Sequence, residues 1–150
     1  MRKVPLYVFL VLCVFTSLPL PAQENFTEGP VTRVTLVRIK AGHATEFWAD
    51  VRKNLKPIFE EYKKQGIITG YRIFTKASIE DPSDWNVGQS LSYASYAALD
   101  GLAARTDAVT MKFYGTRDAR TEAGRNRTQH SDLISTFLIR DVDPRPMPAP

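Results

Sequence analysis

Cysteine and histidine are the residues that this sequence lacks most clearly. The chain of 150 residues contains one cysteine, Cys13, and two histidines, His43 and His130, which lie far apart. A single thiol excludes a disulfide framework, and the three residues lack the close spacing of a zinc-binding motif. The sequence also lacks a glycine-rich phosphate loop, and it contains no known motif that combines a catalytic nucleophile with its base. The sequence therefore predicts no metal site and no bound cofactor.

Long hydrophobic runs are absent except at the N-terminus. There, Arg2 and Lys3 precede an apolar run over residues 4–20, which ends among prolines and is followed by the small residue Ala22. This pattern is typical of a secretory signal peptide, and we expect cleavage after residues 1–22. An uncleaved membrane anchor is the alternative, but the run is shorter than the ~20 apolar residues that span a bilayer. We thus expect a secreted or periplasmic protein with no membrane segment after signal cleavage.

A large excess of charge of either sign is also lacking. The net charge is +4, and it falls to +2 when Arg2 and Lys3 leave with the signal peptide. The most basic segment, residues 112–127, also contains Asp118 and Glu122 and offers few aromatic rings that could stack on bases. A solvated surface explains this segment better than a nucleic-acid interface, so no nucleic-acid partner is predicted.

The clearest structural signal is an amphipathic helix that begins near Glu46. Its apolar residues recur at spacings of three and four, which puts them on one face of the helix. They are Phe47, Trp48, Val51, Leu55, Ile58, Phe59 and Tyr62. Pro57 lies inside this run and has no backbone N–H to donate, so we expect a kink there. Gly66 is suited to the left-handed conformation that ends many helices.

The remaining segments follow from hydrophobic patterning and turn residues. We predict strands at 31–40, 67–77, 85–94 and 133–140, and helices at 96–105 and 108–114. Residues 115–131 are predicted to be partly helical, with a break at Gly124. We expect residues 23–30 to form a flexible leader and the proline-rich residues 142–150 a disordered tail. Residues 31–141 then form one folded domain.

The third predicted strand divides its residues most cleanly. Its larger residues alternate with small or polar ones, so the two kinds lie on opposite faces. The larger set is Trp85, Val87, Gln89, Leu91 and Tyr93, and the smaller set is Asn86, Gly88, Ser90, Ser92 and Ala94. We expect the larger face to pack inward and the smaller face to line a cavity or to meet a second sheet.

The order strand, helix, strand, strand, helix, strand predicts an α+β protein. It is the ferredoxin-like βαββαβ order, with a four-stranded antiparallel sheet and with helices on one face only. Several predicted strands are apolar on both faces, and a large exposed apolar patch is unusual on a monomer. We therefore expect a second copy of the chain to cover the other face, which would make a homodimer in the form of a dimeric α/β barrel.

The chain resembles the dimeric α/β-barrel superfamily over about residues 31–141. The resemblance rests on the element order and on two short motifs, at the start of the first helix and at its junction with the second strand. These motifs are Gly42, Phe47 and Trp48, and Lys64-Gln65-Gly66 followed by Gly70-Tyr71-Arg72. The superfamily includes antibiotic-biosynthesis-type monooxygenases, NIPSNAP-like proteins and many exported proteins without an assigned function.

The resemblance also indicates where some members hold their functional residues. Members that oxidise substrates without a metal, or that degrade haem, place an asparagine on the first strand, a tryptophan on the third strand and sometimes a histidine on the second helix. Trp85 matches the second of these positions. The first predicted strand has no asparagine and the helix at 96–105 has no histidine, so the chain departs from the haem-degrading pattern at two positions.

Few side chains remain as candidates for a functional site. His43, with Glu46 three residues later, could transfer protons, and Trp85 holds the position noted above, so these two are the candidates for catalysis. A loop histidine and a core aromatic residue are the alternative interpretations. Strand arginines beside tyrosines suit an anionic or aromatic ligand, because a guanidinium both donates hydrogen bonds and stacks. The candidates for ligand binding are Tyr71, Arg72, Tyr93 and Arg38.

Three functional interpretations stay open. The first is an exported homodimer that binds a small, partly apolar or aromatic organic molecule in its barrel. The second is a cofactor-independent monooxygenase or isomerase, and the third is a structural or partner-binding module without an enclosed cavity. The sequence predicts no specific reaction.

Overall fold

The computed structural model describes residues 26–78 and 81–145 of the chain. Four strands form one sheet: β1 (Phe26–Ile39), β2 (Gly70–Thr75), β3 (Val87–Tyr93) and β4 (Ser131–Pro144). Their order across the sheet is β2-β3-β1-β4, and every neighbouring pair is antiparallel. The helices are α1 (Ala44–Asp50), α2 (Lys56–Lys64), α3 (Leu102–Tyr114) and α4 (Arg117–His130). The predicted ferredoxin-like α+β fold is therefore confirmed.

The hydrophobic core lies between the sheet and the helices. In its larger part, Ile58 and Phe59 of α2 and Leu102 of α3 pack with Tyr93 of β3. In its smaller part, Phe47 of α1 packs with Val87 and its neighbours. Because side chains alternate along a strand, the residues between those that face this core point to the opposite face of the sheet. We call that opposite side the helix-free face.

The first predicted helix is irregular, as expected, but the irregularity begins before Pro57. A π-helical segment, Val51–Leu55, connects α1 to α2, and the N–H of Lys56 donates to the carbonyl of Val51 five residues back. Pro57 follows directly and has no N–H for the carbonyl of Lys53. The wider hydrogen-bond pattern lets the helical run continue past that missing donor. Gly66 adopts a φ of +68°, as its predicted role at the helix end requires.

The second half of the chain corrects two predictions. The break predicted at Gly124 is wrong, because α4 is continuous through it. Thr116 caps α4 by accepting the N–H of Ala119, and such a cap contributes about 1 kcal/mol, comparable to the cost of one helical glycine. The helices predicted at 96–105 and 108–114 are instead a short 3₁₀ turn, Tyr96–Leu99, and the single helix α3.

The two longest strands extend beyond their predicted limits. β1 and β4 pair from Phe26 opposite Pro144 to Ile39 opposite Ser131. This corrects the predicted boundaries, because residues 26–30 of the leader and 142–144 of the tail find their hydrogen-bond partners in each other. Pro144 ends an edge strand, where a missing N–H is tolerated. The predicted signal peptide and residues 23–25 and 146–150 lie outside the described residues. Among the helices of the described segments, none has the length and apolar character needed to cross a membrane.

The alternation predicted for the third strand is confirmed within β3, Val87–Tyr93. It is wrong for Trp85, which precedes β3 and packs against Phe74 of β2 and not with Val87 in the core. Leu91 and Tyr93 face the helices, whereas Gly88, Ser90 and Ser92 lie on the helix-free face. Phe74 of β2 is the cross-strand neighbour of Gly88, and its ring lies directly over the glycine. A Cβ atom on Gly88 would lie 2.2 Å from the nearest atom of the Phe74 ring. The absence of a side chain at residue 88 therefore lets the aromatic ring cover the strand.

This contact predicts different effects of alanine at two glycines of the sheet. Gly88→Ala should lower the free energy of unfolding by about 1–3 kcal/mol, because the Phe74 ring must move. Gly70→Ala is the matched control, since a Cβ atom on Gly70 would meet no other atom within 4 Å, and it should be neutral or stabilising by roughly 0.5–1 kcal/mol. Urea unfolding of both variants measures the difference. Equal unfolding free energies for the two variants would show that Phe74 does not rest on Gly88.

Candidate functional site

A concave surface lies on the helix-free face of the sheet, and all four strands contribute to it. Its volume is about 440 Å³, within the ~300–1,000 Å³ of pockets that bind small organic molecules. It is open to solvent on one side in the single chain. We call this surface the concavity.

The floor of the concavity consists of small residues of the two central strands. Thr32 and Val34 come from β1, and Ser90 and Ser92 come from β3. The hydroxyl oxygens of Thr32 and Ser92 lie 2.9 Å apart and share a hydrogen bond across the strands. A hydroxyl has one donor and two acceptor sites, so both retain capacity to bind a polar group above them. The floor of the concavity therefore consists of short side chains, and its hydroxyl groups can form hydrogen bonds.

The walls of the concavity come from the two edge strands. Phe74 of β2 and Ile139 of β4 supply apolar surface, and Arg72 and Asp141 on the same strands supply opposite charges. Arg72 and Asp141 are both exposed. The concavity thus combines a hydroxyl floor, apolar walls and one charge of each sign.

The helix-free face also exposes large apolar side chains beside the concavity. Phe137 and Ile139 lie opposite Val34 and Thr32 in the β1–β4 pairing, which puts them on this face. They are 42% and 43% exposed. Leu133 and Leu138, on the helix side of the same strand, are 67% and 42% exposed, so Phe137 and Ile139 differ from them by lying next to the concavity.

The four residues predicted to bind ligand divide between the two faces of the sheet. Arg72 lines the concavity. Arg38 lies on the same face, but its guanidinium donates to the Asp132 carboxylate at 3.1 Å, and this hydrogen bond holds the pKa of Asp132 below its usual value. Tyr71 and Tyr93 point towards the helices instead. The prediction that these four residues bind one ligand has not been tested, and the structure does not bring them together.

The two tyrosines have partners within the protein. Tyr93 is 1% exposed and belongs to the core, where burial raises the pKa of its hydroxyl. The Arg33 guanidinium lies 5.8 Å from the centre of its ring. The Tyr71 hydroxyl donates to the carboxylate of Glu60 on α2. This hydrogen bond, together with partial burial, raises the pKa of Tyr71 to about 12.

A second, much smaller cavity lies between the sheet and the helices. Its volume is about 40 Å³, which is enough for water but not for an organic ligand. Arg127 of α4 reaches this cavity and donates to Asp50 of α1 at 2.9 Å. The pair ties α4 to the end of α1, next to the π-helical segment, and sequence reasoning missed it because α4 was predicted to be broken.

The two candidate catalytic residues lie outside the concavity. His43 precedes α1, and its imidazole contacts that of His130. Trp85 lies just before β3, where its ring packs against Phe74 edge to face, with ring centres 5.9 Å apart. The Nζ atom of Lys76 lies 5.6 Å from the centre of the Trp85 ring. A catalytic role for either residue stays a prediction. Within residues 26–78 and 81–145, no three metal-ligating residues converge.

Sequence reasoning identified the small face of β3 but missed most of the rest of the concavity. Thr32, Val34, Ile139 and Asp141 lie on strands whose side chains do not alternate cleanly between apolar and polar. Their position follows from the pairing register, in which Thr32 lies opposite both Ser92 and Ile139. Cross-strand neighbours share a face of the sheet. The sequence alone does not give the pairing register, so it could not show that these residues lie together.

Comparisons with known proteins give structural similarity only. No protein-family model matches the chain, and no curated protein matches it significantly. It is similar to a dimeric protein of unknown function with a ferredoxin-like fold from Bacteroides fragilis NCTC 9343, at 14% identity and a TM-score of 0.43, over 77% of this chain and 97% of that chain. A dimeric ferredoxin-like protein of unknown function from Jannaschia sp. CCS1 gives 13% identity and a TM-score of 0.44, over 75% and 97% of the two chains. A hypothetical protein from Arabidopsis thaliana gives 16% and 0.46, over 85% and 97%. At these identities the similarity concerns the fold and assigns no function.

The hydrogen bond between Tyr71 and Glu60 predicts a titration. Because the pKa of Tyr71 is raised to about 12 from 10.0, the folded chain holds this proton more tightly than the unfolded chain. The resulting stabilisation is complete below pH 10 and is lost as the pH rises towards 12. In Glu60→Gln, the pKa of Tyr71 should fall towards 10, which a carbon NMR titration of the labelled tyrosines measures.

Glu61→Gln is the matched control for this titration. Glu61 is the next residue of α2, but its carboxylate accepts a hydrogen bond from Gln65 and not from Tyr71. The Tyr71 pKa should therefore stay near 12 in this variant. A Tyr71 pKa of 10 in the unmodified protein would contradict the assigned contact.

Proposed function

We propose that this protein is an exported homodimer that binds a small, partly apolar or aromatic molecule in the concavity. In this proposal the helix-free faces of two copies pack together as a dimeric α/β barrel, and each copy closes the concavity of the other. The observation that carries the proposal is the helix-free face itself, where a small-residue floor lies beside half-exposed Phe137 and Ile139. The motifs that resemble the superfamily of antibiotic-biosynthesis-type monooxygenases and NIPSNAP-like proteins agree with this assembly.

A second copy of the chain is the partner that best fits this face. The most common symmetric dimer uses the same patch on both subunits, so the patch must be complementary to itself. The helix-free face meets this condition, because it contains apolar Phe137 and Ile139 together with charges of both signs, Arg72 and Asp141. Among the described ion pairs, none involves Arg72 or Asp141. Both are therefore available to pair across a twofold axis.

Packing of two such faces would leave an internal space. Facing sheets lie about 10 Å apart, and side chains from both normally fill the gap. Ser90 and Ser92 are too small to fill their half of the gap, whereas the side chains of Phe74 and Phe137 on either side are large. The aromatic residues would then make the contact between the sheets, and the space over the small residues would become an enclosed pocket.

The chemistry of the concavity selects the class of ligand. Apolar walls favour a hydrocarbon or aromatic body, and the hydroxyls of the floor favour one or two polar groups on it. Arg72 adds a guanidinium that suits a carboxylate or another oxyanion. We therefore propose a small aromatic or partly apolar acid as the ligand.

Export is the part of the proposal that rests on sequence alone. The apolar run over residues 4–20, preceded by Arg2 and Lys3, has the pattern of a signal peptide. The rest of the chain has no cysteine, so folding in an oxidising compartment would involve no disulfide. A secreted or periplasmic location is consistent with both features.

The homodimer is tested by placing a charge on either face of the same strand. Phe137→Lys should weaken dimerisation by about 3 kcal/mol, roughly a hundredfold, because an unpaired charge would be buried between the sheets. Leu138→Lys is the matched control, since Leu138 is the next residue, is equally exposed at 42%, and lies opposite Arg33 on the helix side. Analytical ultracentrifugation of residues 23–150 measures both dissociation constants.

Three outcomes of this experiment would contradict the proposed dimer. One is a wild-type chain that stays monomeric at micromolar concentration. The second is a dimer that both substitutions weaken equally, which would place the interface at the β4 edge. The third is a dimer that only Leu138→Lys weakens, which would place the interface on the helix side.

The ligand site is tested with 8-anilinonaphthalene-1-sulfonate, an apolar aromatic anion whose fluorescence rises on binding. We expect saturable binding that Arg72→Gln weakens about tenfold, because one charge-assisted hydrogen bond contributes roughly 1.5 kcal/mol. Arg52→Gln, on the exposed side of the helical run, is the control and should leave binding unchanged. If the two variants bind the dye equally, or if binding does not saturate, the structural or partner-binding interpretation replaces this one.

A further inference from the structure

The only two histidines of the chain meet at one end of the sheet. His43 lies directly before α1, and His130 is the last residue of α4, 87 positions later. Their Nδ1 atoms lie 3.3 Å apart, and the ring centres are separated by 5.3 Å with an angle of 41° between the ring planes. Neither residue lines the concavity. The pair is therefore a feature separate from the proposed ligand site.

The backbone fixes both histidines through one residue, Lys40. The N–H of Lys40 donates to the carbonyl of His130 at 3.0 Å, and the carbonyl of Lys40 accepts the N–H of His43 at 3.1 Å. The turn between Lys40 and His43 includes Gly42, whose φ of +82° is one that residues with a side chain rarely adopt. The carbonyl of His43 then accepts the N–H of Phe47 in the first turn of α1. Both imidazoles thus start from backbone positions that the fold holds in place.

The separation of the two nitrogens matches the geometry of a shared metal ion. Imidazole nitrogens bind Zn²⁺ at about 2.0–2.1 Å with a tetrahedral angle, which puts two such nitrogens on the order of 3.3–3.4 Å apart. The observed distance of 3.3 Å between the Nδ1 atoms falls at this value. A direct hydrogen bond between neutral rings is the competing explanation, in which one Nδ1–H donates to the other Nδ1.

We propose that His43 and His130 bind a divalent transition-metal ion, such as Zn²⁺ or Cu²⁺, through their Nδ1 atoms. Imidazole is a preferred ligand of these ions. Within the described segments no third histidine, cysteine, aspartate or glutamate completes the set, so water or an external ligand fills the remaining positions. Structural zinc sites use four protein ligands and catalytic zinc sites three, so a two-histidine site leaves more positions open than either.

Two basic side chains near the pair, Lys40 and Arg38, share the single carboxylate of Asp132. The ammonium of Lys40 donates to the carbonyl of Thr128 at 2.7 Å and lies 3.5 Å from the Asp132 carboxylate. Asp132 also accepts from Arg38. The Lys40 ammonium is therefore held by these two partners, and in the proposed site the Nδ1 lone pairs of the two histidines are the electron donors.

The test is a titration of the full chain, prepared without a polyhistidine tag and freed of metal with a chelator. Calorimetry with ZnSO₄ should give one ion bound per chain. His43→Gln and His130→Gln should each weaken binding by more than about tenfold, because changes even to the outer-shell partners of metal ligands cost 10–100-fold. Gln129→Ala, which changes the neighbour of His130, is the control and should bind as the wild type does.

A second measurement needs no substitution, so it applies even if a variant fails to fold. Paramagnetic Cu²⁺, added below one equivalent, should broaden the amide signals of residues 40–44 and 129–132 before any others. Saturable one-to-one binding with broadening at both segments supports the site. The absence of saturable binding, unchanged binding in His43→Gln and His130→Gln, or broadening centred elsewhere would overturn it, and the Nδ1 contact would then be a hydrogen bond only.

Discussion

The structure depends on one asymmetry: the sheet carries apolar side chains on both faces, but the helices pack against only one of them. On the covered face, Tyr93 and Val87 are buried beneath α1, α2 and α3. On the other face, Phe74 lies over Gly88, and Phe137 and Ile139 remain half exposed. Burial of apolar surface contributes about 25 cal/mol for each Å² removed from water, so the exposed face carries an unused driving force for association.

Small residues determine what that association would enclose. Ser90 and Ser92 lie at the middle of the sheet, between the larger side chains of the edge strands, and Ser92 shares a hydrogen bond with Thr32. A large apolar side chain in place of Ser90 or Ser92 would let two sheets pack more tightly, but it would fill the concavity. In the proposed dimer this arrangement leaves a pocket instead of a fully packed interface, and Arg72 is the side chain that we propose binds an anionic group there.

The sequence predicted the fold well where periodicity was strong and poorly where tertiary contacts decide. The apolar spacing from Phe47 to Tyr62 and the alternation along β3 are local patterns, and both are confirmed. The continuity of α4 through Gly124 depends instead on the cap at Thr116 and on the ion pair of Arg127 with Asp50. The extension of β1 to Phe26 depends on β4, more than one hundred residues later. Contacts between distant residues also explain why the sequence did not show that His43 and His130 meet.

The measurement that tests the account most directly is the solvent exposure of methyl groups on the two faces of β4. A soluble gadolinium chelate relaxes the NMR signals of methyl groups that it can approach. In a single chain Ile139 and Leu138 are almost equally exposed, at 43% and 42%, but they lie on opposite faces. The account predicts that the Ile139 methyls are protected while those of Leu138 are relaxed. Equal relaxation of both residues, at concentrations where the chain is fully associated, would contradict it.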